Sequence, residues 1–195
     1  MLKIKSLQDS NLIDLLKQGA VGIIPTDTVY GLVCSATDEN AVARLYALKS
    51  RESKPGTIIA ANIEQLVELG IKARYLKPVA GYWPNPISIE IPHSITYLNQ
   101  GTGRQAFRIP ADTALQKFLE KVGPLQTSSA NNPGESEAKT ITAAEDYFRD
   151  SVDFYVDGGN LSGRKASTII RIVDDVVDVI REGAVIVNQN GEIQK

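Results

Sequence analysis

The sequence predicts a single α/β domain with an open, twisted sheet of mixed parallel and antiparallel strands, flanked by helices. Three observations support this prediction. Strand-like and helix-like segments intermix along the chain, two strand-like segments near the C-terminus have hairpin-like spacing, and no repeat or Pro/Ser-rich linker divides the sequence. A chain of 195 residues can form one large core, so we expect one domain over residues 1–195.

Apolar periodicity and capping residues define the elements predicted for the first half of the chain. A helical stripe of leucines around Leu12–Leu16 follows a cap at Asp9 or Ser10. The elements expected next are a strand at Val21–Ile24, a helix at Thr37–Lys49 capped by Thr37 or Asp38, a strand at Thr57–Ala60, a short helix capped by Asn62 and ending at Gly70, and a helix near Ala73–Tyr82.

The second half begins with Ile87–Ile91, whose strict alternation of apolar and polar residues is typical of a strand. The elements expected next are a strand at Gln105–Ile109, a helix at Ala111–Val122, an entry into a loop at Leu125–Ser128, a helix at Ala143–Phe148, and strands at Val152–Val156, Ser167–Ile172 and Val176–Ile180.

Composition excludes several classes of protein. The chain is 43% hydrophobic and 23% charged, its longest apolar runs are strand-sized, and Met1–Lys5 lacks the apolar core of a signal peptide, so we expect a cytoplasmic protein without a membrane span. The single cysteine, Cys34, is expected to be a buried small hydrophobe, and the single histidine, His93, a solvated loop residue. With so few soft ligands, any metal would be a hard cation held by oxygens and substrate phosphates.

The charge distribution favours a small anionic ligand. The net charge of −2 argues against a dedicated nucleic-acid surface, but cations crowd into three segments. These are Arg44, Lys49, Arg51 and Lys54; then Arg104 and Arg108; and finally Arg164, Lys165 and Arg171. Locally basic loops on an acidic protein suit a small anion held in a focused field, although each cluster alone could be a solvated face.

Two loop segments carry polar groups at the ends of expected strands. Pro25–Leu32 supplies two threonine hydroxyls and a carboxylate at the sheet edge where α/β proteins bind ligands, although the same residues could form a simple β-turn. Ser128–Gly134 could be only a loop, or it could place Ser129 and Asn131 on one side of an extended backbone.

The cations of Lys49–Lys54 also have two interpretations. Positive charge at the end of a helix complements the macrodipole, but Arg51 and Lys54 lie past the last turn, where a phosphate chain would suit them better. The glycine-rich Asp157–Thr168 is not a Walker A loop, because Arg164 interrupts the motif and a strand follows where a helix is required. Any ATP site is therefore non-standard.

Taken in order, these motifs resemble the YrdC/TsaC family of L-threonylcarbamoyladenylate synthases. Lys49-x-Arg51 with Ser129-x-Asn131 is similar to the paired K-x-R and S-x-N signature of that family. The further similar segments are Pro25–Leu32, Lys54–Gly56, Phe107–Pro110, Ser167–Ile169 and Ile180–Ala184. The matches cover roughly residues 10–187 and imply a YrdC-like fold.

The resemblance implies the reaction of L-threonine, bicarbonate and ATP to give L-threonylcarbamoyl-AMP and pyrophosphate, with Mg2+ on the phosphates. By matched position, Thr28, Arg108, Ser129 and Ser167 would hold threonine. Arg51, Asn131 and Arg181 would hold ATP, with Lys49 and Lys54 near its phosphates and Arg104 at a position where the residue type differs from that of the family. The product would pass to a separate tRNA threonylcarbamoyl transferase complex for t6A modification.

The residues are compatible with that chemistry, because attack of a carbamate oxygen on the α-phosphorus needs in-line positioning and charge neutralisation rather than a protein nucleophile. We therefore expect Lys49 and Arg51 to be electrostatic catalytic residues, each worth on the order of 100-fold in turnover. Two alternatives stay open: a module that binds structured RNA directly through its basic face, and a paralogue that adenylates a different carbamoyl-type acceptor.

Overall fold

Ten strands form one mixed sheet in a computed structural model that describes residues 2–50, 53–174 and 176–194. The strands are β1 (Leu2–Ile4), β2 (Gly22–Pro25), β3 (Tyr30–Ser35), β4 (Thr57–Ile59), β5 (Ile87–Pro92), β6 (Arg104–Arg108), β7 (Leu125–Ser129), β8 (Phe154–Val156), β9 (Thr168–Val173) and β10 (Val176–Arg181). Their spatial order is β1-β8-β2-β3-β7-β4-β6-β5-β9-β10. Parallel and antiparallel pairs both occur, which confirms the predicted mixed sheet. A separate two-stranded ribbon consists of β11 (Ile186–Val187) and β12 (Ile193–Gln194).

Three of the helices begin at polar caps that the sequence indicated. The helices are α1 (Ser10–Lys17), α2 (Glu39–Leu48), α3 (Ile63–Glu68), α4 (Ala73–Leu76), α5 (Thr96–Asn99), α6 (Thr113–Val122) and α7 (Ile141–Phe148), with 3-10 turns at Lys77–Tyr82 and Arg149–Ser151. The side chains of Asp9, Asp38 and Asn62 accept backbone N–H groups at the starts of α1, α2 and α3, as expected. None of the helices in the described ranges is long and apolar enough to cross a membrane.

Two apolar clusters lie on opposite faces of the sheet. Ile23 and Ile24 are adjacent on β2 but belong to different clusters, as do Ile58 and Ile59 on β4. Because successive side chains of a strand point to opposite faces, the sheet separates the two clusters. The larger cluster packs against α2, and the smaller one packs beneath α1 and α6.

The main difference from the sequence-based prediction lies at the centre of the sheet. Leu125–Ser128 was expected to enter a loop, but it lies in β7, which pairs with β3 on one side and β4 on the other. Its polar residues resemble a loop locally, whereas two flanking strands satisfy its backbone in the folded chain. The expected helix near Ala73–Tyr82 is divided into α4 and a 3-10 turn, and the expected strand at Val152–Val156 begins only at Phe154.

The environments of the single cysteine and the single histidine differ in how well they match the predictions. Cys34 is fully buried and burial raises the pKa of its thiol, which confirms that it is a small core residue. His93 lies in a loop, as predicted, but the prediction that it is solvated is wrong, because the residue is half-buried. The pairing of β5 with β6 brings its ring edge-on to Phe107, with centroids 5.5 Å apart, and burial lowers the pKa of the imidazole.

Candidate functional site

The floor of the site is the half of one sheet face that α1 and α6 leave open. In the strand register, Arg108 lies beside Ile59, a member of the cluster beneath those two helices, so both side chains share a face. Two residues further along the strands, the same face carries a transverse row of directly paired residues. That row is Thr127, Thr57, Ala106, Glu90, Arg171 and Asp178. The face therefore changes from an apolar, helix-covered half to a polar, uncovered half.

A cleft of about 560 Å3 lies over this polar half, a volume typical of small-molecule sites. Seven of the site residues expected from the sequence line it: Thr28, Lys54, Arg104, Arg108, Ser129, Ser167 and Arg181. They come from six separate segments of the chain. Among the described residues that line the cleft, four are cationic and one, Glu90, is anionic, so the cleft suits an anionic ligand.

Arg108 lies at one end of the cleft floor in a buried ion pair. Its Nη2 atom is 3.0 Å from Asp27 Oδ1 and 3.5 Å from Thr28 Oγ1, and the side chains of Arg108 and Asp27 are 5% and 7% exposed. Arg108 Nε and Asp27 Oδ2 are buried without a hydrogen-bond partner in the described part of the chain. Burying a charge pair whose atoms are not all hydrogen-bonded lowers the stability of the fold. Such a pair is therefore typical of a binding site rather than of a purely structural contact.

A line of hydrogen bonds runs from Arg108 along the floor of the cleft. Arg108 Nη1 is 3.4 Å from Ser88 Oγ, which is 2.9 Å from Ser167 Oγ. The guanidinium of Arg181 donates to the Ser167 backbone oxygen and side chain. Thr28 continues the line at the other end through a 3.0 Å contact with Thr26. The expected threonine-site residues Thr28, Arg108 and Ser167 thus belong to one connected polar network.

Lys49 joins the two signature motifs. This residue caps the C-terminus of α2, is only 1% exposed, and donates from Nζ to the backbone oxygens of Ser129 and Asn131 and to Asn131 Oδ1. Three acceptors match the three protons of an ammonium group. The expected grouping of these three residues is therefore present, with Lys49 bonded to the loop after β7.

The Asn131 side chain is engaged within the same loop. Its Oδ1 atom accepts from Ser129 Oγ at 2.7 Å as well as from Lys49, and its Nδ2 atom donates to the backbone oxygens of Asn132 and Glu135. The Ser129 and Asn131 side chains therefore lie on one side of the backbone, which is one of the two alternatives that the sequence left open. Because its proton points to Asn131, the Ser129 hydroxyl presents lone pairs to other groups.

A second cavity of about 640 Å3 adjoins the cleft, and Lys54 lines both. Lys49, Ser50 and Asn131 also line this cavity, on the side of α2. Arg51, the other expected catalytic cation, lies outside the described residues. The two cavities together are lined by Lys49 of the first signature motif, by Ser129 and Asn131 of the second, and by residues of the open sheet face.

Two close approaches of the backbone position the cations. A Cβ atom at Gly56 would lie 2.1 Å from the Thr127 carbonyl oxygen, so only glycine lets the Lys54 segment approach β7 this closely. A Cβ atom at Gly183 would lie 2.3 Å from the Ala166 oxygen, which keeps the segment after Arg181 against the Ser167 loop.

Tyr30 and Arg164 attach the glycine-rich loop to the cleft wall. The Tyr30 hydroxyl donates to the Gly159 oxygen at 2.8 Å and accepts from the Gly158 N–H at 2.9 Å, and burial raises its pKa. Arg164 Nη1 donates to the Thr26 oxygen at 2.7 Å. This loop therefore supports the threonine-rich turn.

Sequence reasoning missed several residues that line the cleft or bond across its floor. Ser88 and Glu90 are the polar members of the alternating Ile87–Ile91 strand, and alternation alone suggests an ordinary solvent-facing side. The missed lining residues of the central strands are Thr57, Glu90, Ala106, Thr127 and Ser128. The available signal was that Ser88 and Glu90 lie on one face of β5, between β6, which ends at Arg108, and β9, which begins just after Ser167.

The fold and the cleft define a class of protein: a one-domain α/β protein with a basic, polar cleft on the uncovered half of a sheet face. A family profile named Sua5/YciO/YrdC and described as telomere recombination matches residues 14–183, and the chain belongs to this family. The motif resemblance found in the sequence is thereby confirmed.

Curated relatives are similar over most of their length. A threonylcarbamoyl-AMP synthase of Pseudomonas aeruginosa is 37% identical over 163 residues, which cover 80% of this chain and 88% of the relative. The synthase of Pseudomonas syringae is 35% identical over 174 residues, which cover 86% and 93%.

Solved structures share the fold. P. abyssi Sua5 complexed with L-threonine aligns with a TM-score of 0.80 and 26% identity over 94% of this chain, which spans 57% of that Sua5 chain. E. coli YciO aligns with a TM-score of 0.77 at 22% identity over 93% of this chain and 94% of its own, and shows the fold alone.

Proposed function

We propose that this protein synthesises L-threonylcarbamoyl-AMP from L-threonine, bicarbonate and ATP, with release of pyrophosphate, and is thus a nucleotidyltransferase. The observation that carries the proposal is the cleft in which a buried arginine, serine and threonine hydroxyls and three further cations meet. Relatives that bear the name threonylcarbamoyl-AMP synthase, and a Sua5 structure with L-threonine, support the same assignment.

The threonine end of the proposed site centres on Arg108. A guanidinium is the preferred partner of a carboxylate, and Arg108 keeps donor capacity beyond its bond to Asp27. Thr28 and Ser167 supply hydroxyls next to it, and Ser129 presents acceptor lone pairs. These groups suit a small amino acid with both a carboxylate and a hydroxyl group.

The ATP end lies towards the second cavity. Lys54, Arg104 and Arg181 line the cleft as point charges and forks for phosphate oxygens, and Arg51 is assigned there from its motif. Lys49 contributes positive charge and holds the Ser129–Asn131 loop in place. Asn131 belongs to the same loop and lines the second cavity.

The proposed reaction has two balanced steps. The neutral amine of threonine attacks the carbon of bicarbonate and water leaves, which gives a carbamate. A carbamate oxygen then attacks the α-phosphorus of ATP in line, the bond to the β-phosphate oxygen breaks, and pyrophosphate leaves with the electron pair. The side chains of the cleft position the two substrates and neutralise developing charge, which is where catalysis of phosphoryl transfer mainly arises.

Magnesium fits this site as part of the nucleotide. No group of three His, Cys, Asp or Glu side chains able to hold a metal occurs among the described residues. Mg2+ usually keeps several waters and binds through substrate phosphates, so Mg2+ would enter with ATP, adding to the neutralisation of phosphate charge.

A separate transferase complex would take up the product and complete t6A in tRNA. The cytoplasmic location is a prediction from the sequence.

Direct RNA binding is the rival function. Binding through several RNA phosphates falls steeply with salt, whereas threonine-dependent ATP turnover should fall less.

The decisive experiment measures pyrophosphate release with ATP, bicarbonate and each of the twenty amino acids. Release with threonine alone supports the proposal. Release with a different amino acid or acceptor would identify a paralogue with another substrate. No release with any amino acid, together with salt-sensitive RNA binding, would favour the RNA-binding alternative.

A further inference from the structure

Glu90 is a carboxylate inside a cleft that otherwise suits anions. It lies on β5, directly opposite Ala106 on β6 and Arg171 on β9, so its side chain shares the face of the cleft floor. Among the described residues that line the cleft it is the single acidic one. A carboxylate there would repel phosphates and carboxylates, so its presence calls for a ligand group of a different kind.

Arg171 fixes the orientation of this carboxylate. Both Arg171 Nε and Nη2 donate to the same oxygen, Glu90 Oε2, at 2.9 and 2.6 Å, with the side chains 32% and 21% exposed. Glu90 Oε1 accepts no hydrogen bond from any residue that the structure describes. One oxygen is therefore occupied by the ion pair and the other keeps its lone pairs for a donor.

Asp178, the neighbour of Arg171 on the other side, forms no ion pair with it among the described residues. Asp178 on β10 is paired with Arg171 in the strand register, yet the ion pair that forms is the one with Glu90. Asp178 does not line the cleft, although Ile180 and Arg181 at the end of the same strand do. The sequence thus places two carboxylates beside one arginine, of which only Glu90 borders the ligand space.

We infer that Glu90 Oε1 accepts a hydrogen bond from a substrate hydroxyl and selects substrates that carry it. The inference rests on the proposed function. An ammonium donor fits less well, because a carboxylate stabilises the charged amine, which cannot attack bicarbonate. Two hydroxyl sources remain, the ribose of ATP and the side chain of threonine, and the apolar lining by Ile169 and Ile180 suits either a nucleoside or a methyl group.

The test compares the wild-type protein, Glu90→Gln and the matched control Asp178→Asn, which removes a charge next to the same arginine outside the cleft. Pyrophosphate release is measured with ATP, 2′-deoxy-ATP and 3′-deoxy-ATP in the presence of threonine, and with ATP in the presence of 2-aminobutyrate, which lacks the hydroxyl. We expect wild type and Asp178→Asn to lose roughly ten- to a hundredfold in kcat/KM with one of the three analogues, as for loss of a charge-assisted hydrogen bond. Glu90→Gln should discriminate about tenfold less against that same analogue. The analogue that responds identifies the hydroxyl.

If Glu90→Gln discriminates as strongly as wild type against every analogue, the inference is overturned. A second measurement tests the same contact without turnover. It compares the thermal protection given by adenosine with that given by 2′- and 3′-deoxyadenosine, and the protection given by threonine with that given by 2-aminobutyrate. The same unfolding curves report that each variant is folded. Absence of pyrophosphate release from wild type would instead refute the proposed function, and the protection measurement would still decide the role of Glu90.

Discussion

The Lys49 ammonium lies 2.9 Å from the backbone oxygen of Ser129, although eighty residues separate them in the chain. The same nitrogen lies 3.0 Å from Asn131 Oδ1. One buried cation therefore joins two motifs that lie far apart in the sequence. This contact links the C-terminal end of α2 to the loop after β7, and both border the second cavity.

Replacement of this cation should damage both stability and activity. Lys49→Met leaves buried loop oxygens without their donor, so we expect the free energy of unfolding to fall by about 1–3 kcal/mol and turnover to fall on the order of 100-fold. Urea unfolding and pyrophosphate release measure the two effects. Lys17→Met is the matched control, because Lys17 is an exposed lysine in the last turn of α1. Equal behaviour of the two variants would contradict the role of Lys49.

The buried pair of Arg108 and Asp27 allows stability and binding to be separated. Arg108→Gln alone leaves a buried carboxylate uncompensated, which should cost about 3–5 kcal/mol of unfolding free energy. The double variant Asp27→Asn with Arg108→Gln should recover much of that loss. It should not recover thermal protection by threonine, because the guanidinium is absent from both variants. Recovery of threonine protection in the double variant would show that Arg108 does not bind the amino acid.

Gly56 provides a steric prediction. Gly56→Ala places a Cβ atom 2.1 Å from the Thr127 oxygen and 2.5 Å from Gln126 Nε2, so the segment that carries Lys54 has to shift. We expect a loss of about 2–4 kcal/mol in unfolding free energy, as for other overpacked sites, and an increased KM for ATP. Gly81→Ala is the control, since nothing lies within 4 Å of the Cβ position there. A stable Gly56→Ala variant with normal KM would refute this account.

Acid should weaken the contact between Asp153 and Arg44. Burial raises the pKa of the Asp153 carboxyl, but hydrogen bonds from Arg44 and from the Val21 N–H lower it more, so the net pKa lies below the ordinary value. Because the folded-state pKa is depressed, the stabilisation is complete above the unfolded pKa of about 3.9 and is lost as the pH falls through the folded value. Urea midpoints of wild type and Asp153→Asn should therefore converge between about pH 6 and pH 2.5. A constant difference across that range, or equal convergence for the exposed Asp14→Asn control, would contradict the prediction.

Local sequence predicted the elements whose signals are local. Asp38 and Asn62 cap helices because their short side chains reach backbone N–H groups two or three residues away, and that geometry needs no tertiary partner. Leu125–Ser128 was mispredicted because its strand conformation depends on pairing with β3 and β4, which are distant in the sequence. Glu90 was missed because alternation along a strand does not distinguish a solvent face from a cleft.

The sequence by itself determined the family, the mixed α/β architecture and the side chains available for chemistry, because motifs, caps and apolar periodicity are properties of short segments. Only the tertiary structure decided which half of the sheet face stays uncovered, that Lys49 is bonded to the Ser129–Asn131 loop, and that Arg108 and Glu90 occupy neighbouring rows of one floor. Those relationships depend on strand order and register, which are set by long-range pairing and by where α1 and α6 pack.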